Sequence, residues 1–137
     1  MSPGERELSG RVAIVTGAGV GIGAGIAVAL AEAGAAVAVA DVDVGTAAST
    51  AHGIEAKGGR GLAVRVDVSD ADQVRNMVER TAEAFGSVDI LVNNAGIATT
   101  QLVEDLDEIA WRRVLEVNLT GAFLCSKAVL PLMREKG

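Results

Sequence analysis

Four short apolar runs, separated by segments of helical period, constrain this chain more than any other feature. The runs are Val12–Val15, Ala36–Ala40, Leu62–Val66 and Val88–Val92, each too short for a stable helix and each bounded by Gly, Asp or Asn. Between them, Ile22–Ala33 is Ala-rich with Ile26 and Leu30 on one face, and Gly34 stops it. Gly45–Lys57 reads as a weaker helix, interrupted by Gly53 and broken by Gly58-Gly59. Ser69 and Asp72 have the spacing of a capping box for a helix whose stripe is Val74, Met77, Val78, Thr81 and Phe85, ended by Gly86. From about Leu106 the chain is helical again, with Trp111, Val114, Leu115, Phe123, Leu124, Ala128 and Leu132 as apolar positions. Asn118 and Gly121 fall where these last two helical stretches meet.

Strand and helix in alternation predict an α/β domain of Rossmann type, a doubly wound parallel sheet over residues 10–137. By analogy with doubly wound folds the strands are ordered 3-2-1-4. Residues 1–9 read as a flexible tail, with neither the apolar core of a secretory signal nor the basic character of a transit peptide. The fourth strand then lies on an edge with a hydrophobic flank, so the domain reads as truncated after that strand and its following helices. An isolated chain of this kind is expected to oligomerise or aggregate.

Composition narrows the partners. A net charge of −6, no Lys/Arg run and only three aromatic residues, one Trp and two Phe, argue against nucleic acid. No stretch approaches the roughly 20 uninterrupted apolar residues of a membrane span, so no membrane is expected. The single cysteine, Cys125, excludes an internal disulfide framework and suits a reducing cytoplasm; it reads as a buried, inert thiol. His52 has no ligand-spaced neighbour and reads as a surface helix residue, so no metal is expected.

In an open parallel sheet the ligand lies beyond the carboxyl ends of the strands. The four runs end in Thr16-Gly17, Asp41, Asp67 and Asn93-Asn94, residue types suited to phosphate, ribose and adenine. The first turn, Thr16-Gly17-Ala18-Gly19-Val20-Gly21-Ile22-Gly23, opens directly into a helix. Its glycines permit left-handed turns and close approach of backbone to a pyrophosphate, and the helix start offers free N–H groups and the positive dipole end. Strict G-x-G-x-x-G fails, because Ala24 stands three after Gly21; the competing reading is a turn whose glycines serve packing alone.

Asp41, about 20 residues after the turn, is placed to accept both ribose hydroxyls of an adenosine and would repel a 2′-phosphate. Neither Val20 nor Val42 is basic, so the pattern favours NAD over NADP. A helix cap or a solvated strand-end carboxylate is the alternative for Asp41, and Asp43 competes for its role. Asp67 reads equally as an acceptor for the adenine amino group and as turn chemistry with Ser69-Asp70. Asn93-Asn94 read as a polar scaffold for Ala95-Gly96 or as an ordinary Asn-rich turn.

Taken in series, Thr16-Gly17-x-x-x-Gly21-x-Gly23, Asp67-Val68, Asn93-Asn94-Ala95-Gly96 and Asn118 within Val117-Asn118-Leu119-Thr120-Gly121 resemble the single-domain short-chain dehydrogenases/reductases, from about Gly10 to the end. The resemblance implies pyrophosphate binding by Thr16, Gly17, Gly19, Val20, Gly21, Ile22 and Gly23. It implies NAD preference through Asp41, beside Val42, and an adenine contact at Asp67, beside Val68. Asn93, Asn94, Ala95 and Gly96 would steady the strand beside the nicotinamide ribose, and Asn118 would join the catalytic group through a proton relay. The implied reaction moves a hydride between the nicotinamide and a carbonyl or secondary alcohol, in a dimer or tetramer.

The chain departs from that pattern at one point. It contains no Tyr, and neither Lys127, Lys136 nor Ser126 stands where the family's Lys and Ser belong. Two readings follow: the cofactor half of an NAD-dependent oxidoreductase, inactive as it stands, or a non-catalytic dinucleotide-binding or interaction module. The substrate pocket of the family is built mainly from residues beyond those present.

Overall fold

The structure, a computed structural model, describes residues 5–137. Strands β1 (Val12–Thr16), β2 (Ala36–Asp41), β3 (Arg60–Arg65) and β4 (Ile90–Val92) form one parallel sheet in the order β3-β2-β1-β4, as the alternation of elements predicts. Helices α1 (Gly21–Glu32) and α2 (Val44–Ala56) cover one face. Helices α3 (Ala71–Phe85) and α5 (Gly121–Lys136) cover the other, with α4 (Glu108–Leu115) leading into α5.

β1 is buried along its whole length because it has strands on both sides and helices on both faces. Alternate residues feed two cores. Ile14, Ala38 and Val64 pack toward Met77, Val78, Cys125 and Val129, whereas Ala13, Val15, Val37 and Val39 meet Ala27, Ala31, Ala47, Ala51 and Ile54. The second core is built largely from Ala, which lets α1 and α2 lie close to the sheet. The expected face of α1 shifts accordingly: Gly23, Ala27 and Ala31 are the buried stripe, and Ile26 and Leu30 pack partly buried beside it.

Element boundaries differ from the sequence reading where side chains intervene. β3 starts at Arg60 rather than Leu62, because its ladder with β2 runs the full length from Ala36–Arg60 to Asp41–Arg65. β4 starts at Ile90 rather than Val88. There the Asp89 carboxylate accepts the Val12 N–H at 2.8 Å while the Asp89 N–H donates to the Val12 carbonyl at 2.8 Å. The cap of α3 is Asp70, which accepts from the Asp72 and Gln73 N–H groups; the Ser69 hydroxyl is turned elsewhere, donating to Asp67 and accepting from Arg113. Within the stretch expected to be a tail, residues 1–4 lie outside the described residues. Leu8 packs against the second core and its N–H donates to the Ala33 carbonyl at 2.8 Å.

α4 and α5 are continuous through a π turn, Glu116–Thr120, so Asn118 and Gly121 lie within one helical run and not between two. By length and composition this helix, Glu108–Lys136, is long and apolar enough to cross a membrane, which the charged residues along it concealed in the sequence. In the fold its stripe of Val117, Gly121, Cys125 and Val129 is buried. Leu119, Phe123 and Leu130 are exposed on its outer side, as is Trp111 on α4. Burial pushes the Cys125 thiol up to about 11. His52 is an exposed residue of α2.

Asp89 closes the amino end of the sheet. It is 6 % exposed, and Lys136 from the end of α5 reaches it at 2.7 Å. Burial alone would raise its carboxyl, but the Lys136 ammonium and the Val12 N–H outweigh it and hold the group below its ordinary value. Asp89→Asn is expected to lower the unfolding free energy by about 2 kcal/mol at neutral pH, read from urea denaturation. Since the folded-state pKa is depressed, this contribution is present above the ordinary carboxylate range and is lost as pH falls below about 4, so the two proteins should converge in acid.

Candidate functional site

The carboxyl ends of the four strands face one cleft of about 330 Å³. Its architecture starts from Thr16, the last residue of β1, whose side chain is 1 % exposed. The Thr16 hydroxyl donates to the Val92 carbonyl at 3.3 Å and accepts the Asn94 and Ala95 N–H groups at 3.1 and 3.0 Å. One oxygen therefore folds the loop after β4 over the end of β1. Asn94 completes the join by donating its side-chain N–H to the Gly17 carbonyl at 3.1 Å.

Against this join sits the first turn of α1. A Cβ on Gly23 would lie 2.2 Å from the Gly17 carbonyl oxygen and 2.4 Å from Asn94 Nδ2, so only glycine lets the helix approach so closely. Gly21 is glycine for another reason: its φ is +61°, and a Cβ there would meet nothing within 4 Å. The start of α1 also lacks a side-chain cap, with Val20 in the cap position and no acidic residue in the first turn. Helices α2, α3 and α4 are each capped by an Asp carboxylate, from Asp43, Asp70 and Asp107.

The Gly19 peptide is held from the second βα unit. Its N–H donates to Asp41 Oδ2 at 2.9 Å, and its carbonyl accepts from the Thr50 hydroxyl at 3.0 Å. Asp41 Oδ1 accepts the Asp43 N–H at 3.1 Å. Asp43, the competitor for Asp41's expected role, is committed to capping α2 through the Gly45 and Thr46 N–H groups. Val20 and Val42, neighbours of this carboxylate on the cleft wall, are 62 % and 59 % exposed.

At the third strand, Asp67 does turn chemistry: its Oδ1 accepts the Ser69 hydroxyl at 2.6 Å and the Ser69 N–H at 3.0 Å. Its Oδ2 accepts from Arg113 at 3.2 Å. The Ser69 hydroxyl lowers the Asp67 pKa; burial opposes it, and the Ser69 N–H and the Arg113 guanidinium add to the lowering. Asn118, in the π turn, grips the peptide of Ile97 at both ends. Its Oδ1 accepts the Ile97 N–H and its Nδ2 donates to the Ile97 carbonyl, each at 2.8 Å.

Of the residues singled out in the sequence, Gly17, Val20, Asp41, Val42, Asp67, Val68, Asn94, Ala95 and Gly96 line the cleft. Thr16 lies beneath it, and Gly19 stands behind Asp41. Gly21, Ile22 and Gly23 form the start of α1 at the end of that glycine turn. Asn93 points elsewhere, donating to the Ser126 hydroxyl at 3.2 Å. The sequence reading missed Val66, Ile97, Val117 and Arg113, which complete the lining. Arg113 is out of reach of any sequence rule used above, since its partners lie 44 and 46 residues away. Among the described residues, no three His, Cys, Asp or Glu side chains are grouped to hold a metal ion.

Thr16→Val keeps the shape of the side chain and removes the hydroxyl. It is expected to cost about 2 kcal/mol of stability, because the Ala95 N–H loses its acceptor and the Asn94 N–H keeps only the Val92 carbonyl. Urea denaturation measures the cost, and faster amide exchange at Asn94 and Ala95 would place it.

The family model for short chain dehydrogenases matches residues 11–137. Over 128 residues the chain is 50% identical to cis-4-hydroxycyclohexanecarboxylate dehydrogenase of Sinomonas cyclohexanicum, covering 93% of this chain and 51% of that protein. It is 43% identical over 127 residues to a 3-oxoacyl-[acyl-carrier-protein] reductase of Synechocystis sp., covering 92% of this chain and 51% of the reductase. Among solved structures, a short-chain type dehydrogenase/reductase from Mycobacterium marinum superposes with a TM-score of 0.90 at 40% identity, covering 94% of this chain and 52% of that one. The chain thus spans about half the length of the relatives it matches.

Proposed function

Since this chain belongs to the short chain dehydrogenase family, we propose that it is the NAD-binding half of an oxidoreductase that moves a hydride between the nicotinamide and a carbonyl or secondary alcohol. The observation that carries this reading is the start of α1. Among the described residues it alone, of the helices that begin from extended chain, leaves its first N–H groups without a side-chain cap, and Gly21 beside them turns a Cβ-free backbone toward open space. Uncapped N–H groups at the positive end of a helix dipole suit a pyrophosphate, and the absence of a carboxylate there removes a competitor for them.

The rest of the cleft fits a dinucleotide laid across the strand ends. Asp41 presents a carboxylate to the ribose of the adenosine half, with Val20 and Val42, neither of them basic, as apolar walls. NAD is therefore the favoured partner. Asp67 and Val68 stand at the adenine end, and Asn94, Ala95 and Gly96 at the nicotinamide end. Bound there, the nicotinamide supplies the hydride acceptor or donor. The chain's own residues orient it: Thr16 and Asn94 hold the loop after β4 in place, and Asn118 fixes Ile97 at the loop's far side.

The proton transfer falls to residues outside this chain, which holds no Tyr, with Asn118 as this half's member of the relay. The exposed Leu119 of the π turn and Phe123 and Leu130 of α5 support a homo-oligomer, a dimer or tetramer. The lone, buried Cys125 suits the cytoplasm.

Calorimetric titration of the purified chain tests the reading. NADH is expected to bind more tightly than NADPH by roughly tenfold or more, as a carboxylate beside a 2′-phosphate would dictate. Asp41→Ser should narrow that gap mainly by improving NADPH. Gly21→Ala forces a side chain into left-handed backbone and should weaken both ligands while costing only about 1 kcal/mol of stability. Equal affinities for the two cofactors would refute the NAD assignment, and turnover of a ketone by this chain alone would refute the division of labour.

A further inference from the structure

Arg113 belongs to α4, outside the βα units that build the strand ends, yet it lines the cleft beside Asp67. Its Nη1 donates to the Ser69 hydroxyl at 2.8 Å and its Nη2 donates to Asp67 Oδ2 at 3.2 Å. Ser69 in turn donates to Asp67 Oδ1 at 2.6 Å. Guanidinium, hydroxyl and carboxylate thus close a ring in which each Asp67 oxygen is held by a different donor. The planar guanidinium reaches Asp67 directly with one N–H and through the Ser69 hydroxyl with another, so the carboxylate is restrained at both of its oxygens.

We infer that Arg113 is a positioning residue for the adenine end of the cleft: it orients the Asp67 carboxylate so that the carboxylate accepts a hydrogen bond from the exocyclic amino group of the base. This inference rests on the proposed dinucleotide site and assigns to it a residue of α4. Each carboxylate oxygen carries lone pairs beyond those the ring engages, so Asp67 retains acceptor capacity while its rotation is blocked. The guanidinium and Ser69 also favour the ionised form, the form that is acceptor only. Glu116, one turn on in the π turn, also faces this guanidinium, 3.7 Å from Nη1.

An exposed ion pair that merely tied α4 to the loop after β3 would contribute little and would not distinguish one base from another. Base discrimination therefore separates the two roles. The experiment titrates the full chain with NADH and with its hypoxanthine counterpart, in which a carbonyl oxygen replaces the 6-amino group. In the wild type the adenine form should bind roughly tenfold more tightly, the scale of one hydrogen bond to a charged acceptor. Arg113→Ala should reduce that preference to within about twofold by weakening NADH and leaving the hypoxanthine form unchanged. Arg113→Lys, which keeps the charge and loses the fork, should fall between them.

Both ligands are read on the same sample, so any loss of folded protein cancels in the ratio. Equal weakening of both ligands by Arg113→Ala, or an unchanged preference, overturns the inference and leaves the dinucleotide site standing. A wild type that binds both forms equally overturns it in the same way, because Asp67 would then not read the amino group. A wild type that binds neither overturns the dinucleotide reading and this inference with it.

Discussion

The Thr16 hydroxyl is the contact on which the cleft depends. β1 carries the glycine turn and β4 carries the Asn-Asn-Ala-Gly loop, and the two segments have no sequence proximity to hold them together. A buried oxygen at the end of β1 engages the Val92 carbonyl and two successive N–H groups of that loop, while Asn94 reaches back to Gly17. These groups lie in or at the edge of the core, where an unmade hydrogen bond is expensive, so the arrangement is stiff. Gly23 then allows α1 to seat its first turn on the joined segments. The walls of the cleft follow from this one oxygen.

Carboxylates are distributed to the same end. Asp43, Asp70 and Asp107 occupy helix starts as caps, and Asp89 locks the opposite edge of the sheet through Val12 and Lys136. The two strand-end carboxylates left in the cleft, Asp41 and Asp67, are each restrained, by the Gly19 N–H and by Ser69 with Arg113. A net charge of −6 therefore coexists with an uncapped, electropositive helix start at the glycine turn. These aspartates are held by hydrogen bonds, and none of them caps the helix start where a phosphate would enter.

The elements were legible because period and burial agree: the first two runs, buried on both faces, show no polar alternation, and the Val74, Met77, Val78 and Thr81 stripe of α3 is the buried one; strand order followed by analogy with doubly wound folds. The glycine turn, Asp41, Asp67 and Asn94 were legible as a group because strand ends in a parallel sheet share one rim. What escaped depends on contacts between distant segments. Ser69 has the spacing of a cap, but its hydroxyl donates to Asp67 and accepts from Arg113, and Asp70 caps in its place. Val88 is as apolar as its neighbours, yet the Asp89 side chain substitutes for a ladder bond and delays the strand. Arg113 is one of several charges on a helix until the fold brings it to Ser69 and Asp67. The apolar positions on α5 also conceal which face is inward: Cys125 and Val129 are covered, and Phe123 is 60 % exposed.

The covered stripe gives the chain a built-in clock. Cys125 is the only thiol, it is wholly shielded beneath α5, and its ionisation is pushed to about 11, so in the docked state it offers almost no thiolate to a reagent at neutral pH. Alkylation therefore requires α5 to lift from the sheet, and its rate measures how often that long helix breathes. The same helical run carries Asn118 and Arg113, so the element that covers the thiol also reaches both ends of the cleft.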